Sequence, residues 1–295
     1  MADKNVSVAA KYKKRSQAGE IWHRMRKNKG AMLGLVIVAL LVFVALFADV
    51  FLDYETDVIG QNIAQRLQHP SAQHIMGTDD VGRDVFARLL YGARFSLAVG
   101  VAAVAFALVV GVLFGSVAGF FGGRIEEVIM RISDMLAAVP SILMAIAIVS
   151  AIGQSTLNLM IAVGVTSVPQ FIRITRAAVM TVRNQEYIEA AQSIGLSKFE
   201  IIWSHVLPNC LSPIIVQTTL RVASAIISAS SLSFLGLGVP SPDPEWGSML
   251  STGRKFIRGY SYLTVFPGLA IMITVLALNL LGDGLRDAMD PKLKR

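Results

Sequence analysis

The sequence predicts an all-α polytopic membrane protein with six transmembrane helices. Three observations predict it. Apolar residue types make up 54% of the 295 residues and charged types only 16%, where soluble chains carry about 25% charged residues. Mean hydropathy is +0.59. Several uncharged runs reach the ~20 residues a helix needs to cross a bilayer. Finally, lysine and arginine crowd the segments on one side of those runs. Together these exclude an ordinary soluble enzyme and a disordered scaffold. The single cysteine, Cys210, excludes an internal disulfide and a cysteine-cluster metal site.

Residues 1–30 form a polar tail with nine basic residues, Lys4, Lys11, Lys13, Lys14, Arg15, Arg24, Arg26, Lys27 and Lys29. The tail is too long and polar for a cleaved signal peptide, so the first helix is expected to stay as an anchor. Uncharged runs then follow at 31–48, 95–123, 135–172, 211–236 and 260–282, the fourth of these interrupted by Arg221. The 135–172 run would be about 57 Å long as one helix. The cluster Gly153-Gln154-Ser155-Thr156 divides it into two crossings. Nineteen lysines and arginines then fall on the side of the two termini and seven on the other. Both termini are therefore expected in the cytoplasm. The net charge of +7 is a topology signal and requires no nucleic acid. The organisation read from this is a cytoplasmic tail at 1–30, a first helix and extracytoplasmic loop at 31–95, and a core of five further helices at 96–295.

Inside the membrane, Gly111, Gly115 and Gly119 make a small-residue face, for close helix packing or as a hinge. Ser224, Ser228, Ser230, Ser231 and Ser233 in the fifth span either bond back to their own helix or line a wet cavity. Pro140 and Pro169 should kink the third and fourth spans. Asp134 in the third span and Arg221 in the fifth are ionisable groups costly in lipid; they pair with each other or snorkel to the headgroups.

The loop at 183–208 reads as two short helices set at an angle. The first covers about 184–194, with Glu186, Glu189, Ala190 and Ala191, and exposes Ile188, Ala190 and Ala191. Gly195 fits the left-handed position that closes a helix. Ser197 and Glu200 form a capping box for the second helix. That helix passes through Phe199, Ile202 and Trp203 and stops at Leu207-Pro208. A protruding helix with carboxylates and small apolar residues suits docking into a groove of another protein.

Glu189-Ala190-Ala191, Gly195 and Leu207-Pro208 resemble the EAA loop of importer-type ABC transporter permeases, with Ile194 and His205 departing from the common pattern. Three further segments narrow the resemblance. The first is Gly77-Thr78-Asp79-Asp80-Val81-Gly82-Arg83-Asp84 with Tyr91 to Arg94. The second is Ser233 to Gly238 with Pro244-Glu245-Trp246-Gly247. The third is Gly282 to Asp287 with Asp290-Pro291-Lys292. Together they resemble the second permease subunit of dipeptide and oligopeptide importers, a subfamily that includes nickel and glutathione permeases. The resemblance implies a type I ABC importer permease fold in a bacterial or archaeal inner membrane. It also implies a pathway shared with a second permease, two cytoplasmic ABC ATPases docked on the loops, and an extracytoplasmic solute-binding protein. The chain lacks the G-x-x-x-x-G-K-[ST] phosphate loop. No cofactor is therefore expected on it, and ATP and Mg would be used by the partner ATPases. Glu189 and Gly195 would carry the coupling, and alternative readings are the same machine for nickel or glutathione, or a stand-alone secondary transporter.

On the outer side, Val85, Phe86, Leu89 and Leu90 predict a short interfacial helix before the second span. Gly77, Asp79, Asp80, Gly82, Arg83 and Asp84 either lock a turn or meet the binding protein. The 239–260 loop, with Trp246, is expected to cap the pathway mouth, and Arg254, Lys255 and Arg258 to attract an acidic partner surface. The four histidines are not grouped for metal binding.

Overall fold

A computed structural model describes residues 17–289. Lys4, Lys11, Lys13, Lys14, Arg15 and the terminal Asp290-Pro291-Lys292 lie outside the described residues. The described chain is helical, with one isolated bridge between Thr78 and Asp84. A short amphipathic helix α1 (Gln17–Met25) precedes α2 (Lys29–Phe51), whose first turn is capped by the Asn28 side chain. After the outer loop comes α3 (Val85–Phe121), capped by Asp84, then α4 (Gly123–Ala138), α5 (Ser141–Ile152) and α6 (Thr156–Val182). The angled loop holds α7 (Glu186–Ser193) and α8 (Lys198–Ile201), followed by α9 (Leu211–Phe234), α10 (Trp246–Gly253) and α11 (Tyr262–Met289).

The central packing is α3 on α6. A Cβ placed on Gly111 would lie 2.2 Å from the Phe171 Cβ, on Gly115 2.7 Å from the Ile172 carbonyl, and on Gly119 2.8 Å from the Val179 Cβ. The three glycines thus let two backbones meet where lipid offers no hydrophobic drive for association. Gly111→Leu is expected to destabilise the fold by about 1–3 kcal/mol or more through overpacking. Thermal melting of the detergent-purified protein checks this, with Gly268→Ala as the control; that Cβ would meet only the Leu250 Cδ2, at 4.0 Å.

The contacts rise together in number along both helices, so α3 and α6 run parallel. The chain between them must return across the bilayer. It does so through α4 and α5, which are bent by 90° at the Val139–Pro140 break. Proline disfavours helical backbone at the residue before it, and Val139 is extended, with φ −88° and ψ 131°. Among the described residues, five helical segments are long and apolar enough to cross a membrane, and six if the bent pair counts as one span. This corrects the third span. Its helix starts at Gly123, not at 135, and its first limb is amphipathic. Asp134 therefore lies on an exposed face of α4 rather than in an apolar crossing.

Two further expectations are overturned. No separate interfacial helix precedes the second span, because α3 is continuous from Val85 for 37 residues; the division drawn at residue 95 falls inside it. Pro208 also does not stop the helix after α8. The chain runs through a π turn (Ile202–Val206) and a 3₁₀ turn (Leu207–Cys210) directly into α9. Local changes of hydrogen-bond spacing accommodate the proline without ending the rod.

Candidate functional site

The angled loop is tied to the bundle at its start. Arg183 at the end of α6 donates from Nη1 to the Gly119 carbonyl at 2.8 Å, which ties the loop to the far end of α3. Helix α7 begins at Glu186, two residues later than the sequence predicts, and closes in a Schellman turn. The Leu196 amide donates to the Ala191 carbonyl at 3.2 Å and the Gly195 amide to the Gln192 carbonyl at 3.0 Å. Gly195 has φ +88°, and a Cβ there would meet nothing within 4 Å. The restriction on this position is thus one of backbone conformation, not of space. Ser197 then caps α8, accepting from the Glu200 amide at 3.2 Å.

The expected exposure of α7 is partly reversed. Ile188 is 0% and Ala191 4% exposed. Both pack inward on Val179, Ile201, Val206, Cys210 and Ile214. Burial of this face holds α7 on the bundle, and the turn at Gly195 sets its angle to α8. The outward face carries Glu186, Tyr187, Glu189 and Ala190. Beyond the turn, Ile194, Phe199 and Trp203 are 77%, 65% and 60% exposed. Neither Glu186 nor Glu189 makes a side-chain hydrogen bond or ion pair among the described residues. Leu207 is buried and Pro208 exposed. Phe199 lies 6.2 Å from the Phe121 ring, so this surface continues onto the end of α3. Two unpaired carboxylates beside bulky exposed apolar groups make a surface suited to a protein partner.

About 55 Å of helix α3 separates this end from the loop before α3. There the Gly-Asp motif is locked from within. Asp79 accepts from the Val81 and Arg83 amides at 3.0 and 2.9 Å and from Arg83 Nε at 2.6 Å. Arg88 Nε approaches Asp79 at 3.7 Å, and its Nη1 donates to the carbonyls of Val58 and Pro242. Asp84 caps α3 through the Ala87 amide and takes His74 Nδ1 at 2.8 Å. Gly77 and Gly82 turn the chain at φ +78° and +82°. Buried Arg88 was not singled out in the sequence, although a cation four residues into a long apolar helix is a usable signal.

Trp246 is 1% exposed and donates from Nε1 to the Leu89 carbonyl at 2.9 Å. Buried Glu245 caps α10, accepting from the Gly247 and Ser248 amides. Asp79, Arg83, Arg88, Gln154, Ser233 and Asp243 border a cavity of about 300 Å³ on this side. Tyr54 donates to Asp243 at 2.6 Å; burial, and then that carboxylate, push its pKa up. Asp53 accepts from the Thr56 amide, which holds its carboxyl below the usual range. Arg254, Lys255 and Arg258 are exposed.

Asp134 and Arg221, expected to pair or to snorkel, do not meet. Asp134 pairs with Arg173 at 2.9 Å. Arg221 makes no hydrogen bond or ion pair among the described residues. Two cations on different helices were available to Asp134, and helix rotation brings Arg173 to it. Among the described residues no group of His, Cys, Asp and Glu is placed to hold a metal ion. His69 stacks on Tyr260 instead.

Residues 111–295 match the family described as the binding-protein-dependent transport system inner membrane component. Residues 16–70 match the N-terminal TM domain of oligopeptide transport permease C. The dipeptide transport system permease protein DppC of Alkalihalophilus pseudofirmus is 47% identical over 275 residues, covering 93% of this chain and 90% of that one. The oligopeptide transport system permease protein OppC of Bacillus subtilis is 41% identical over 295 residues, covering 99% and 95%. The glutathione transport system permease protein GsiD of Escherichia coli is 46% identical over 275 residues, covering 93% and 90%. Among solved structures, a chain of the inward-facing MetNI methionine ABC transporter superposes with a TM-score of 0.57 at 16% identity, over 69% of this chain and 96% of that one. That likeness shows the fold, a type I importer permease bundle. Family models covering most of the length and relatives above 40% identity agree: the chain belongs to the inner membrane components of binding-protein-dependent transport systems, as a multi-pass, non-catalytic permease subunit.

Proposed function

We propose that this permease imports dipeptides or oligopeptides. In this reading it shares its pathway with a second permease, receives solute from an extracytoplasmic binding protein, and is driven by two ATPases that bind ATP and Mg. Both termini and the α7–α8 loop are cytoplasmic. The observation that carries the substrate is the 41–47% identity, over nearly the whole chain, to permeases named for dipeptide and oligopeptide transport. The 46% identity to a glutathione permease favours a second reading, in which the solute is that particular peptide. Uptake by the assembled complex of labelled alanyl-alanine, competed by glutathione, separates the two. No uptake of either would refute both.

Coupling in this reading runs through Glu186, Glu189, Ala190 and Ala191 on α7, the turn at Gly195, and Leu207-Pro208 at the base. The basic tail of the first 30 residues supports the orientation, as does the contact that places α1 beside α11. Gly77, Asp79, Gly82, Arg83, Asp84 and Trp246 act as a rigid outer frame on which the binding protein rests, through exposed Arg254, Lys255 and Arg258. Phe199→Asp with Trp203→Asp is expected to leave membrane insertion unchanged and abolish co-purification of the ATPases. Retention of both ATPases in full amount would remove this docking surface.

A further inference from the structure

The exposed surface of α9 is divided along its length. One strip carries Gln217, Arg221, Ser224, Ser228 and Ser231, spaced by four, three, four and three residues. All five are exposed or half-exposed, and this spacing places them along one line of a helix. The adjacent strip carries Leu220, Ile227 and Phe234, apolar and likewise at least partly exposed. Buried Ala225, Ala229 and Leu232 flank the polar strip on its other side, and buried Ile226 lies opposite it. The polar strip continues onto α6, because Gln217 Nε2 donates to Gln170 Oε1 at 3.4 Å and Gln170 is exposed.

Lipid cannot satisfy such a strip. Ser224 and Ser231 donate back to the carbonyls of Leu220 and Ile227, so their remaining lone pairs need water or a partner. Arg221 lies about 15 Å along α9 from Leu211. Asp134, the partner the sequence offered for it, is taken by Arg173. A guanidinium at that depth without a carboxylate faces water or an anionic group from outside the chain.

We propose that the strip Gln217–Arg221–Ser224–Ser228–Ser231, with Gln170, lines the aqueous solute pathway, and that Arg221 is the group on it that receives a solute carboxylate. The inference rests on the import reading above and names the chemistry selected within it. A free carboxylate, such as a peptide C-terminus, satisfies a guanidinium in bidentate fashion, and the serines and glutamines supply uncharged hydrogen-bond partners that tolerate varied side chains. The apolar strip is left for lipid or for packing.

The test uses the assembled transporter in proteoliposomes, in a Cys210→Ala background. Single cysteines at Gln217, Ser224, Ser228 and Ser231 are expected to react with a membrane-impermeant cationic methanethiosulfonate and to lose uptake when modified. A cysteine at Ile227 is expected to stay unmodified, Phe234 being left out because its ring lies under the exposed Arg254 guanidinium at 4.8 Å. In a second arm, Arg221→Gln is expected to lower uptake of alanyl-alanine about tenfold while leaving its C-terminal amide unchanged, with Arg221→Lys intermediate. Equal labelling of both strips, or an unreactive polar strip, would overturn the pathway assignment. The unreactive result would place a second chain's surface there. Equal loss of acid and amide would overturn the carboxylate role. If the unmutated complex takes up no alanyl-alanine, the peptide reading and the carboxylate role fall together, while the labelling pattern still decides which strip faces water.

Discussion

Gly195→Pro is expected to leave membrane insertion and assembly intact and to cut solute-stimulated ATP hydrolysis by about tenfold or more, the size of an ordinary coupling free energy. The argument is conformational. Gly195 stands at φ +88° with open space around its Cα. Proline fixes φ near −65° and removes the amide that donates to the Gln192 carbonyl. Both hydrogen bonds of the Schellman turn depend on that geometry, so α7 loses its fixed angle to α8. The buried contacts of Ile188 and Ala191 with Val179 and Ile201 remain available on folding, which is why insertion survives. Glu189→Lys makes the complementary change, reversing an exposed, unpaired charge without touching the turn. Stimulated hydrolysis is expected to fall in both variants when measured in reconstituted vesicles, with basal hydrolysis retained. Unchanged stimulation in either would remove that residue from the coupling path.

Much of this loop was legible in the sequence because its signals are local. A glycine after a short helix, and a serine three residues before a glutamate, each fix a backbone conformation over a few residues. The long apolar runs were legible for a similar reason, since length and absence of charge suffice to mark a crossing. What failed depended on partners far away in sequence. Ile188 and Ala191 sit on a helix with carboxylates on both flanks, and only Val179 and Ile201 decide which side turns inward. The partner of Asp134 depended on the rotation of α6 against α4, which the sequence does not state. The kink expected at Pro140 is present as a 90° break; the start of that span was hidden, because the amphipathic limb before the break carries its charges outside the uncharged run. Pro208 misled in the opposite sense. A proline rule drawn from water-exposed helices overstated its power where flanking π and 3₁₀ turns adjust the ladder. Arg88 passed unnoticed because its partners, Val58, Pro242 and Asp79, come from three separate segments.

Asp79→Ala is expected to be the most damaging single change in the loop before α3, at about 3–5 kcal/mol, the cost of breaking a buried ion pair from one side. Asp79 forms ion pairs with both Arg83 and Arg88, at 2.6 and 3.7 Å. All three residues are buried. Removal of the carboxylate leaves two largely buried guanidinium groups without their shared counter-ion, and also strips the Val81 and Arg83 amides of their acceptor. The Leu67 amide donates to the Asp79 carbonyl, and Tyr262 from α11 donates to the carbonyls of Gln68 and Thr78. Loss of the knot therefore loosens the seat of α3 and the start of α11 together. The expected readouts are a lowered melting temperature of the purified complex and faster proteolysis between residues 59 and 84. Asp79→Ala with Arg88→Met is expected to recover part of the loss, because the second change removes one of the orphaned charges and keeps the volume. If the double variant is no more stable than Asp79→Ala, the damage comes from the lost backbone acceptors alone, and the charge argument fails.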